Sequence, residues 1–246
     1  MSTGSLLKVA VGIIKNADGE ILISYRHKHL HQGNLWEFPG GKFEVGEDAE
    51  QALARELYEE LNITVERATP TIQIEYQYPD KQVQLDVWTV HQFSGAERSC
   101  EGQEIKWVKP QDLIDYEFPA ANQPIITAAR LPSYYVILGG DNRGEVEQNL
   151  LKMLANGIQL MQLRTKEIAK VELQAMYKDL YPLCQQAGAA LLVNSDIQNL
   201  LAFEGDGIHL TSRHLLALEQ RPDVVGWVSA SCHSRDELLH AQAIGV

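Results

Sequence analysis

The chain of 246 residues is 45% apolar and 22% charged, proportions of a soluble globular protein with one large domain or two small ones. Its formal net charge of −12 argues against sequence-independent binding to DNA or RNA, which depends on clustered Lys and Arg. It has three widely spaced cysteines and neither a leader-like N-terminus nor an apolar run of about 20 residues. We therefore expect a cytoplasmic protein with reduced thiols and without a membrane or nucleic-acid-polymer partner, and the oligomeric state stays open.

The apolar pattern of the first half changes often, which predicts a mixed α/β unit. Asp18-Gly19 stands between two short apolar runs, a strong signal for a β-hairpin. The segment 78–81 (Tyr-Pro-Asp-Lys) supplies a second turn. The predicted strands cover 9–14, 20–24, 71–78, 82–93 and 104–108, and the predicted helices cover 48–61 and 123–130.

The second half alternates apolar strands with helices, the pattern of βαβ units in a parallel sheet. Residues 131–133 (Leu-Pro-Ser) predict a linker between domains 1–130 and 134–246. The predicted strands cover 134–138, 158–164, 190–194, 207–210 and 224–229, and the helices cover 145–155, 171–187, 197–203, 212–218 and 235–243. Because a closed (β/α) barrel needs eight strands, we expect an incomplete barrel-like domain from a longer chain. A five-stranded open sheet is the alternative.

The predicted helix 48–61 carries the densest chemical signal. Glu56, Glu59 and Glu60 are spaced to share one helical face. Like charges at this spacing repel, so the helix is costly unless hard divalent cations neutralise it. On its own, the pattern Glu-x-x-Glu-Glu favours an ordinary solvated face. The core-facing stripe consists of Ala49, Leu53, Leu57 and Leu61.

The residues that flank this helix strengthen the case for a site. Residues 39–42 (Pro-Gly-Gly-Lys) predict a tight loop whose glycines let backbone groups approach an ion or a ligand. Asp48 with Gln51 predicts a capping box that starts the helix. Asn62 can end the helix in the left-handed conformation.

The spacing of these residues resembles the Nudix box, G-x5-E-x7-R-E-U-x-E-E-x-G-U, in which U is aliphatic. The segment 41–63 matches every fixed position except the last glycine, which is replaced by Asn62. Asn tolerates the left-handed conformation better than most residues, so the replacement is compatible with the box. The resemblance extends over 8–132, where the strings at 11–14, 36–42, 100–103 and 118–124 are similar to those of MutT-type Nudix hydrolases.

That resemblance implies an α/β/α sandwich with a mixed sheet. It also implies hydrolysis of a small-molecule nucleotide, 8-oxo-dGTP, to 8-oxo-dGMP and pyrophosphate, with Mg²⁺ as cofactor or Mn²⁺ as its substitute. Glu56 or Glu101 would help to deprotonate the attacking water, and Arg55, paired with Glu47, would orient the carboxylates. The implied catalytic residues are Glu56, Glu101, Glu60 and Arg55, and the implied metal ligands are the Gly40 carbonyl, Glu56, Glu59, Glu60 and Glu101.

The resemblance implies nucleotide contacts as well. Asn122 would recognise the base, because its amide offers the donor and the acceptor that suit the O6 and N7–H edge of 8-oxoguanine. Taken alone, Asn122 before Gln123-Pro124 favours a helix cap instead. The other implied contacts are Arg26, His31 and Gly40 against the nucleotide, Lys42 beside the phosphates, and Glu37, Phe38 and Pro39 as the pocket wall.

The second half is similar to thiamine phosphate synthase and its TenI-like relatives in the strings at 161–166, 193–194, 205–210 and 229–234. Each string ends a predicted strand, where a (β/α) barrel places its ligand site. Ser195 and His214 stand where synthases have magnesium-binding Asp residues, so we expect a degenerate phosphate-binding or packing domain. A TenI-like role with proton transfer by His233 is the alternative. The implied ligand-binding residues are Gln162, Arg164, Lys166, Asn194 and His233.

Three functions therefore follow for the whole chain. The first is pyrophosphohydrolysis of 8-oxo-dGTP. The second keeps the same chemistry with another diphosphate: ADP-ribose, a dinucleotide or damaged thiamine pyrophosphate. The third is a binding or regulatory module without catalysis, which the intact carboxylate pattern disfavours.

Overall fold

The computed structural model describes residues 6–28, 32–165, 170–194, 205–224 and 226–246. It divides the chain into two units, Met1–Leu131 and Pro132–Val246, and the division falls inside the linker expected at 131–133. None of the helices in the described ranges is long and apolar enough to cross a membrane.

Two sheets and two helices build the first unit. The strands are β1 (Leu7–Ile14), β2 (Ile21–Tyr25), β3 (Trp36–Glu37), β4 (Gly40–Lys42), β5 (Thr64–Gln77), β6 (Gln82–Ser94) and β7 (Ile105–Val108), the helices are α1 (Ala49–Leu61) and α2 (Gln123–Arg130), and 3-10 turns cover Pro110–Asp115 and Ala120–Asn122. One sheet has the order β4-β1-β6-β5, in which β1 and β6 run parallel and the other pairs run antiparallel. The other sheet is antiparallel, in the order β3-β2-β7.

Strand β1 lies between two apolar clusters. Successive side chains of a strand point to opposite faces. Val11 and Ile13 belong to the cluster that contains α2, whereas Ala10 and Ile14 belong to the cluster that contains α1. Between them, Gly12 lets α1 approach closely, since a Cβ there would lie 3.2 Å from a Leu57 methyl group. The unit is an α/β/α sandwich with a mixed sheet, which confirms the expected fold class.

The helix that carries the carboxylates forms as expected. Asp48 accepts from the N–H of Gln51, and the Gln51 side chain bonds back to the N–H of Asp48. Asn62 ends the helix at φ 57°, in the left-handed region. The predicted core stripe is wrong at one place: Ala49 is partly exposed, and Ala52 is buried instead.

The predicted hairpin at Asp18-Gly19 is only partly correct. The turn forms, because the Asn16 side chain accepts from the N–H groups of Asp18 and Glu20 at 3.0 and 2.9 Å. Beyond it, β1 and β2 enter different sheets and share only the isolated bridge between Lys15 and Ile21. Strand β1 pairs with β4 and β6 rather than with β2, so the strands beside the turn do not form a hairpin.

Strand β5 also differs from its prediction, because it begins at Thr64 rather than at 71. Its register with β6 is interrupted between Val65 and Arg67, between Arg67 and Ala68, and between Pro70 and Ile72. Bulges of this kind break the alternation by which a strand is recognised in a sequence. The turn at 78–81 joins β5 to β6 as predicted.

The second unit is a parallel sheet with helices. Its strands are β8 (Val136–Leu138), β9 (Leu160–Leu163), β10 (Ala190–Asn194), β11 (Gly207–Leu210) and β12 (Trp227–Ala230), and its described helices are α3 (Arg143–Ala155), α4 (Lys170–Gln186), α5 (Ser212–Leu216) and α6 (Arg235–Ile244). The sheet order is β12-β11-β10-β9-β8, with every pair parallel. Leu138, Met161 and Leu191 pack in one buried cluster with Leu150 of α3 and Met176 of α4. The expected β/α alternation is confirmed, while the helix predicted at 197–203 lies outside the described residues.

Candidate active site

A cavity of about 490 Å³ opens in the first unit and brings together most of the residues expected at its site. Its lining contains Arg26, Glu37, Phe38, Gly40, Lys42, Glu56, Glu60, Glu101 and Asn122. A volume of this size is typical of pockets for small molecules, which span roughly 300–1,000 Å³. Residues that lie far apart in the sequence therefore share one concave site.

The predicted tight loop at 39–42 is wrong, because residues 40–42 form strand β4, which pairs with β1 and approaches α1 closely beside the cavity. The Gly40 N–H donates to the Glu60 carboxylate at 3.2 Å. A Cβ on Gly41 would collide with the Glu56 carboxylate, and a Cβ on Gly40 would collide with the Ala10 carbonyl. Gly40 also has φ +145°, which disfavours other residues. Gly41 is therefore needed because the backbone lies directly against the Glu56 carboxylate, and Gly40 because it lies against the β1 backbone.

Arg55 organises the neighbouring acidic side chains. Its guanidinium donates to both carboxylate oxygens of Glu47, at 2.7 and 2.9 Å, and to Glu56 at 2.9 Å. A further bond reaches the Lys42 carbonyl at 2.9 Å. The hydrogen bond from Arg55 lowers the pKa of Glu47 to about 2. The expected pairing of Arg55 with Glu47 is thus present. The bond to the Lys42 carbonyl also connects α1 to β4.

The carboxylates inside the cavity crowd one another. Burial raises the pKa of Glu60 to about 8, with further increases from the charges of Glu37, Glu56 and Glu101. Burial also raises the pKa of Glu56, against the lowering effect of Arg55. Oxygen ligands that repel each other in this way match the preferences of hard divalent cations, which would relieve the repulsion. The donor set therefore fits a divalent ion.

The carboxylates do not all converge, however. Among the described residues no three His, Cys, Asp or Glu side chains are close enough together to hold a metal ion. Glu59 is outside the cavity lining, 58% exposed, with its carboxylate 3.5 Å from the Arg55 guanidinium. Glu101 lines the cavity from an exposed loop between β6 and β7. The predicted ligand set is therefore only partly assembled, with Glu56 and Glu60 at its centre.

Aromatic and amide side chains also belong to the cavity or support its wall. Phe38 is buried and stacks on Phe118, with ring centroids 5.3 Å apart. Asn122 stands before α2, yet its side chain makes no capping hydrogen bond to that helix. It lines the cavity instead. Asn122 therefore occupies the N-cap position without a side-chain capping bond, and its role in base recognition stays a prediction.

The remaining expected contacts are distributed around this cavity. Arg26 forms an ion pair with Glu37, and burial raises the pKa of the Glu37 carboxyl despite that pair. Lys42 lines the cavity from the end of β4. Pro39 is buried but absent from the lining, and its carbonyl accepts from the Gly12 N–H at 2.8 Å. The prediction for His31 lies outside the described residues.

Several lining residues were not predicted from the sequence. Most of them form an apolar wall from β1 and β6. The others include Tyr78, in the turn between β5 and β6, and Gln103, two residues after Glu101. The available signal was the two-residue alternation, which places members of one strand on one face. The wall consists of Leu7, Val9, Val11, Val83 and Leu85.

In the second unit, two of the expected residues meet on the parallel sheet. The Asn194 amide donates to the Gln162 side-chain oxygen at 2.9 Å, and the Gln162 amide donates to the Tyr135 hydroxyl at 3.3 Å. His209 joins this network, with Nδ1 3.0 Å from the Tyr135 hydroxyl and 2.9 Å from the Ser229 hydroxyl. Tyr135, His209 and Ser229 were not predicted.

The other expected residues of the second unit lie apart from that network or outside the description. Arg164 is exposed, and its backbone N–H donates to the Leu138 carbonyl at 2.9 Å. His233 is exposed, and its backbone N–H donates to the Glu237 carboxylate. Lys166 and Ser195 lie outside the described residues.

Comparison with known proteins separates the two units. Residues 10–128 match the family model described as NUDIX domain, and residues 133–246 match the model described as Thiamine monophosphate synthase. The 8-oxo-dGTP diphosphatase of Escherichia coli K12 is 42% identical over 120 residues, 49% of this chain and 93% of that protein. The protein of the same name from Haemophilus influenzae is 37% identical over 121 residues, 49% of this chain and 89% of that one. The CTP pyrophosphohydrolase of Escherichia coli K12 is 33% identical over 123 residues, 50% of this chain and 90% of that one.

Proposed function

Through residues 10–128 this chain belongs to the Nudix hydrolase family, and on that premise we propose that it hydrolyses 8-oxo-dGTP to 8-oxo-dGMP and pyrophosphate. Nudix hydrolases need a divalent metal ion and act on small nucleotides, and we propose Mg²⁺ here, with Mn²⁺ as a substitute. The role that follows is removal of an oxidised DNA precursor from the nucleotide pool of the cytoplasm. Two relatives named 8-oxo-dGTP diphosphatase support this substrate.

One observation supports the proposal more than any other: a single cavity joins the acidic helix to Asn122. The lining thus combines carboxylates, which would suit a metal-bound phosphate chain, with an amide, which would suit a base. The Asn122 amide, which does not cap α2, supplies a donor and an acceptor for the O6 and N7–H edge of 8-oxoguanine. Phe38 would pack against the face of the base.

The metal would be held by the Gly40 carbonyl, Glu56, Glu60 and Glu101, with Glu59 joining them from the neighbouring turn. Bound there, a divalent ion would neutralise phosphate charge and acidify the attacking water. Glu56 or Glu101 would take the proton from that water. Arg55 would keep Glu56 in place through one hydrogen bond, while its other N–H groups bond to Glu47 and hold the guanidinium.

Two further cations face the substrate in this proposal. Lys42 would lie beside the phosphates, and Arg26 would contact the nucleotide from the side of Glu37. In a chain with a net charge of −12, local cations of this kind offset the repulsion between the protein and a triphosphate.

For the second unit we propose a degenerate phosphate-binding or packing domain, which extends over 134–246. Its match to the thiamine monophosphate synthase model supports an origin in a ligand-binding barrel. Two of its candidate ligand-binding residues, Gln162 and Asn194, are hydrogen-bonded to each other, and Gln162 is also hydrogen-bonded to Tyr135. A ligand would have to replace these bonds in order to bind.

The proposal is tested by Mg²⁺-dependent hydrolysis of five compounds: 8-oxo-dGTP, dGTP, CTP, ADP-ribose and thiamine pyrophosphate. CTP is included because of the relative named for it, and thiamine pyrophosphate because of the second unit's match. We expect kcat/KM to be highest for 8-oxo-dGTP. Equal values for 8-oxo-dGTP and dGTP, or a higher value for another compound, would overturn the substrate assignment.

Two variants locate the chemistry in that assay. Glu56→Gln should lower kcat by roughly 10²–10⁴-fold, the usual range for loss of a proton-transfer group. Asn122→Ala should lower the preference for 8-oxo-dGTP over dGTP while it leaves kcat for dGTP unchanged. Glu50→Gln, on the exposed side of the same helix, is the matched control. Full activity of Glu56→Gln would contradict the proposed metal site.

A further inference from the structure

Gln103 is a buried amide that lines the cavity and forms hydrogen bonds to its own loop and to α1. It is 9% exposed and follows the Glu101 loop by two residues. Its side-chain oxygen accepts from the Ser99 hydroxyl at 2.8 Å and from the Glu101 N–H at 3.1 Å. Its amide nitrogen donates to the Glu60 carbonyl at 3.4 Å. A single side chain thus connects the loop that carries one carboxylate to the helical turn that carries another.

The same loop is attached to α1 by its backbone. The last carbonyls of a helix lack partners within the helix. Here the Arg98 N–H donates to the Leu61 carbonyl at 3.0 Å, and the Cys100 N–H donates to the Glu60 carbonyl at 2.9 Å. These bonds fix the start of the loop, and at its tip the Glu101 carbonyl lies 3.2 Å from Nε2 of His27. Glu101 stands at that tip, on the exposed surface and next to Gly102 at φ +82°.

We propose that Gln103 is a positioning residue, which holds the Glu101 backbone so that its carboxylate faces Glu56 and Glu60 across the cavity. The inference rests on the metal site of the proposed function. Glu101 touches the ion in that proposal, whereas Gln103 acts only through Glu101. A ligand on a loose loop must be ordered when the ion binds, and a prior hydrogen bond to its backbone lowers that cost.

A purely structural role for Gln103 makes a different prediction. Removal of a buried hydrogen-bonded amide lowers the stability of the fold, because it leaves polar partners unpaired. Such a loss would leave the affinity for a metal ion unchanged as long as the protein is folded. The affinity of the folded protein for the ion therefore separates the two roles.

The test is the titration of the full-length, metal-free protein with Mn²⁺ in the absence of nucleotide, with free Mn²⁺ measured by electron paramagnetic resonance. We expect Gln103→Leu to raise the Mn²⁺ Kd by roughly 10–100-fold, the range observed for groups that orient metal ligands. The kcat should fall, and the KM for nucleotide should stay unchanged. Gln111→Leu, at an exposed position of the Pro110–Asp115 turn, is the matched control and should bind as the parent does.

A double-mutant cycle makes the inference sharper. Glu101→Gln alone should also raise the Kd, and Gln103→Leu should add nothing further in that background, because both changes remove the same ligand. If the two effects multiplied, or if Gln103→Leu bound Mn²⁺ like the parent while Glu101→Gln did not, the positioning role would be wrong. Ser99→Ala removes only one bond to Gln103 and should cause a smaller change in the same direction, which covers the case of a poorly folded Gln103→Leu.

The outcomes also separate this inference from the function on which it rests. If the parent bound no Mn²⁺, or if Glu56→Gln bound it as tightly as the parent, the proposed metal site would fail and Gln103 would have nothing to position. If Glu56→Gln lost binding and Gln103→Leu did not, only the role of Gln103 would be overturned.

Discussion

In the first unit several carboxyl groups crowd together around the cavity, whereas in the second unit the polar side chains on the sheet are neutral and bond to one another. Glu37, Glu56 and Glu60 each have a raised pKa because burial and neighbouring carboxylates disfavour their charge. Gln162 and Asn194 instead supply each other with a donor and an acceptor. Binding of a cation would therefore stabilise the first site, because it relieves the repulsion between carboxylates. Binding of a ligand at the second site would instead break existing hydrogen bonds.

This contrast can be tested most strongly at Glu60. Glu60→Gln should lower activity with 8-oxo-dGTP by roughly 10–100-fold, because a ligand of the ion is weakened. At pH values above the Glu60 pKa of about 8, the same change should raise the free energy of unfolding of the metal-free protein, since it removes one buried charge from a crowded group. Parallel measurements of kcat and of urea unfolding in EDTA check both effects.

A destabilised Glu60→Gln protein would contradict the idea that the cavity is strained by its own charges. Glu66→Gln, at an exposed position on β5, serves as the control for removal of a negative charge from the same unit.

Gln162 supplies the opposite case. Gln162→Leu should lower the free energy of unfolding of the second unit by about 1–3 kcal/mol, because the Asn194 amide and the Tyr135 hydroxyl lose a buried partner. Hydrogen exchange of peptides from β9 and β10, measured on the full chain by mass spectrometry, reports the change. If exchange were unaffected, the network would contribute nothing to stability, and Gln162 would be a group kept for a ligand.

The smallest expected effect is a pH dependence at His209. Burial lowers its pKa, and the charge of Arg164 lowers it further. Because the folded value lies below the unfolded value, protonation favours the unfolded state. The contribution of His209 is therefore complete at pH values above the unfolded pKa of about 6.5, and it is lost as the pH falls below that value.

Exchange of β11 peptides, corrected for intrinsic rates, should accordingly show lower protection at pH 5.5 than at pH 7.5. In His209→Gln this pH dependence should disappear. A variant that kept the dependence of the parent would show that other groups cause it.

Local features of the fold could be read from the sequence with good accuracy. Asp48, Gln51 and Asn62 determine where α1 begins and ends through bonds within a few residues, so their types alone predict the helix. The position of Glu56 and Glu60 in the cavity follows from helical spacing. The strand-helix alternation of the second half is also a local signal, and it too is confirmed.

Features that depend on distant pairing could not be read in this way. The hairpin predicted at Asp18-Gly19 forms only its turn, because β1 pairs with β4 and β6 instead of with β2. A local sequence pattern does not reveal these pairings. The apolar wall of the cavity joins Leu7 to Val83 across a parallel pair, and Gln103 reaches Glu60 from beyond β6. Glu59 shows the reverse error, because a shared helical face did not bring its side chain into the cavity.

The parallel pairing of β1 with β6 has a consequence for how the chain acquires its structure. Strand β1 is synthesised well before its partner β6, which is completed only at Ser94. Until then its buried residues, Ala10 to Ile14, have no edge to pair with on that side and remain open to other chains. Contacts between segments so far apart in sequence close slowly, so folding of the first unit waits for β6. The strand at the centre of the folded sandwich is thus exposed to aggregation during synthesis, until β6 is available to pair with it.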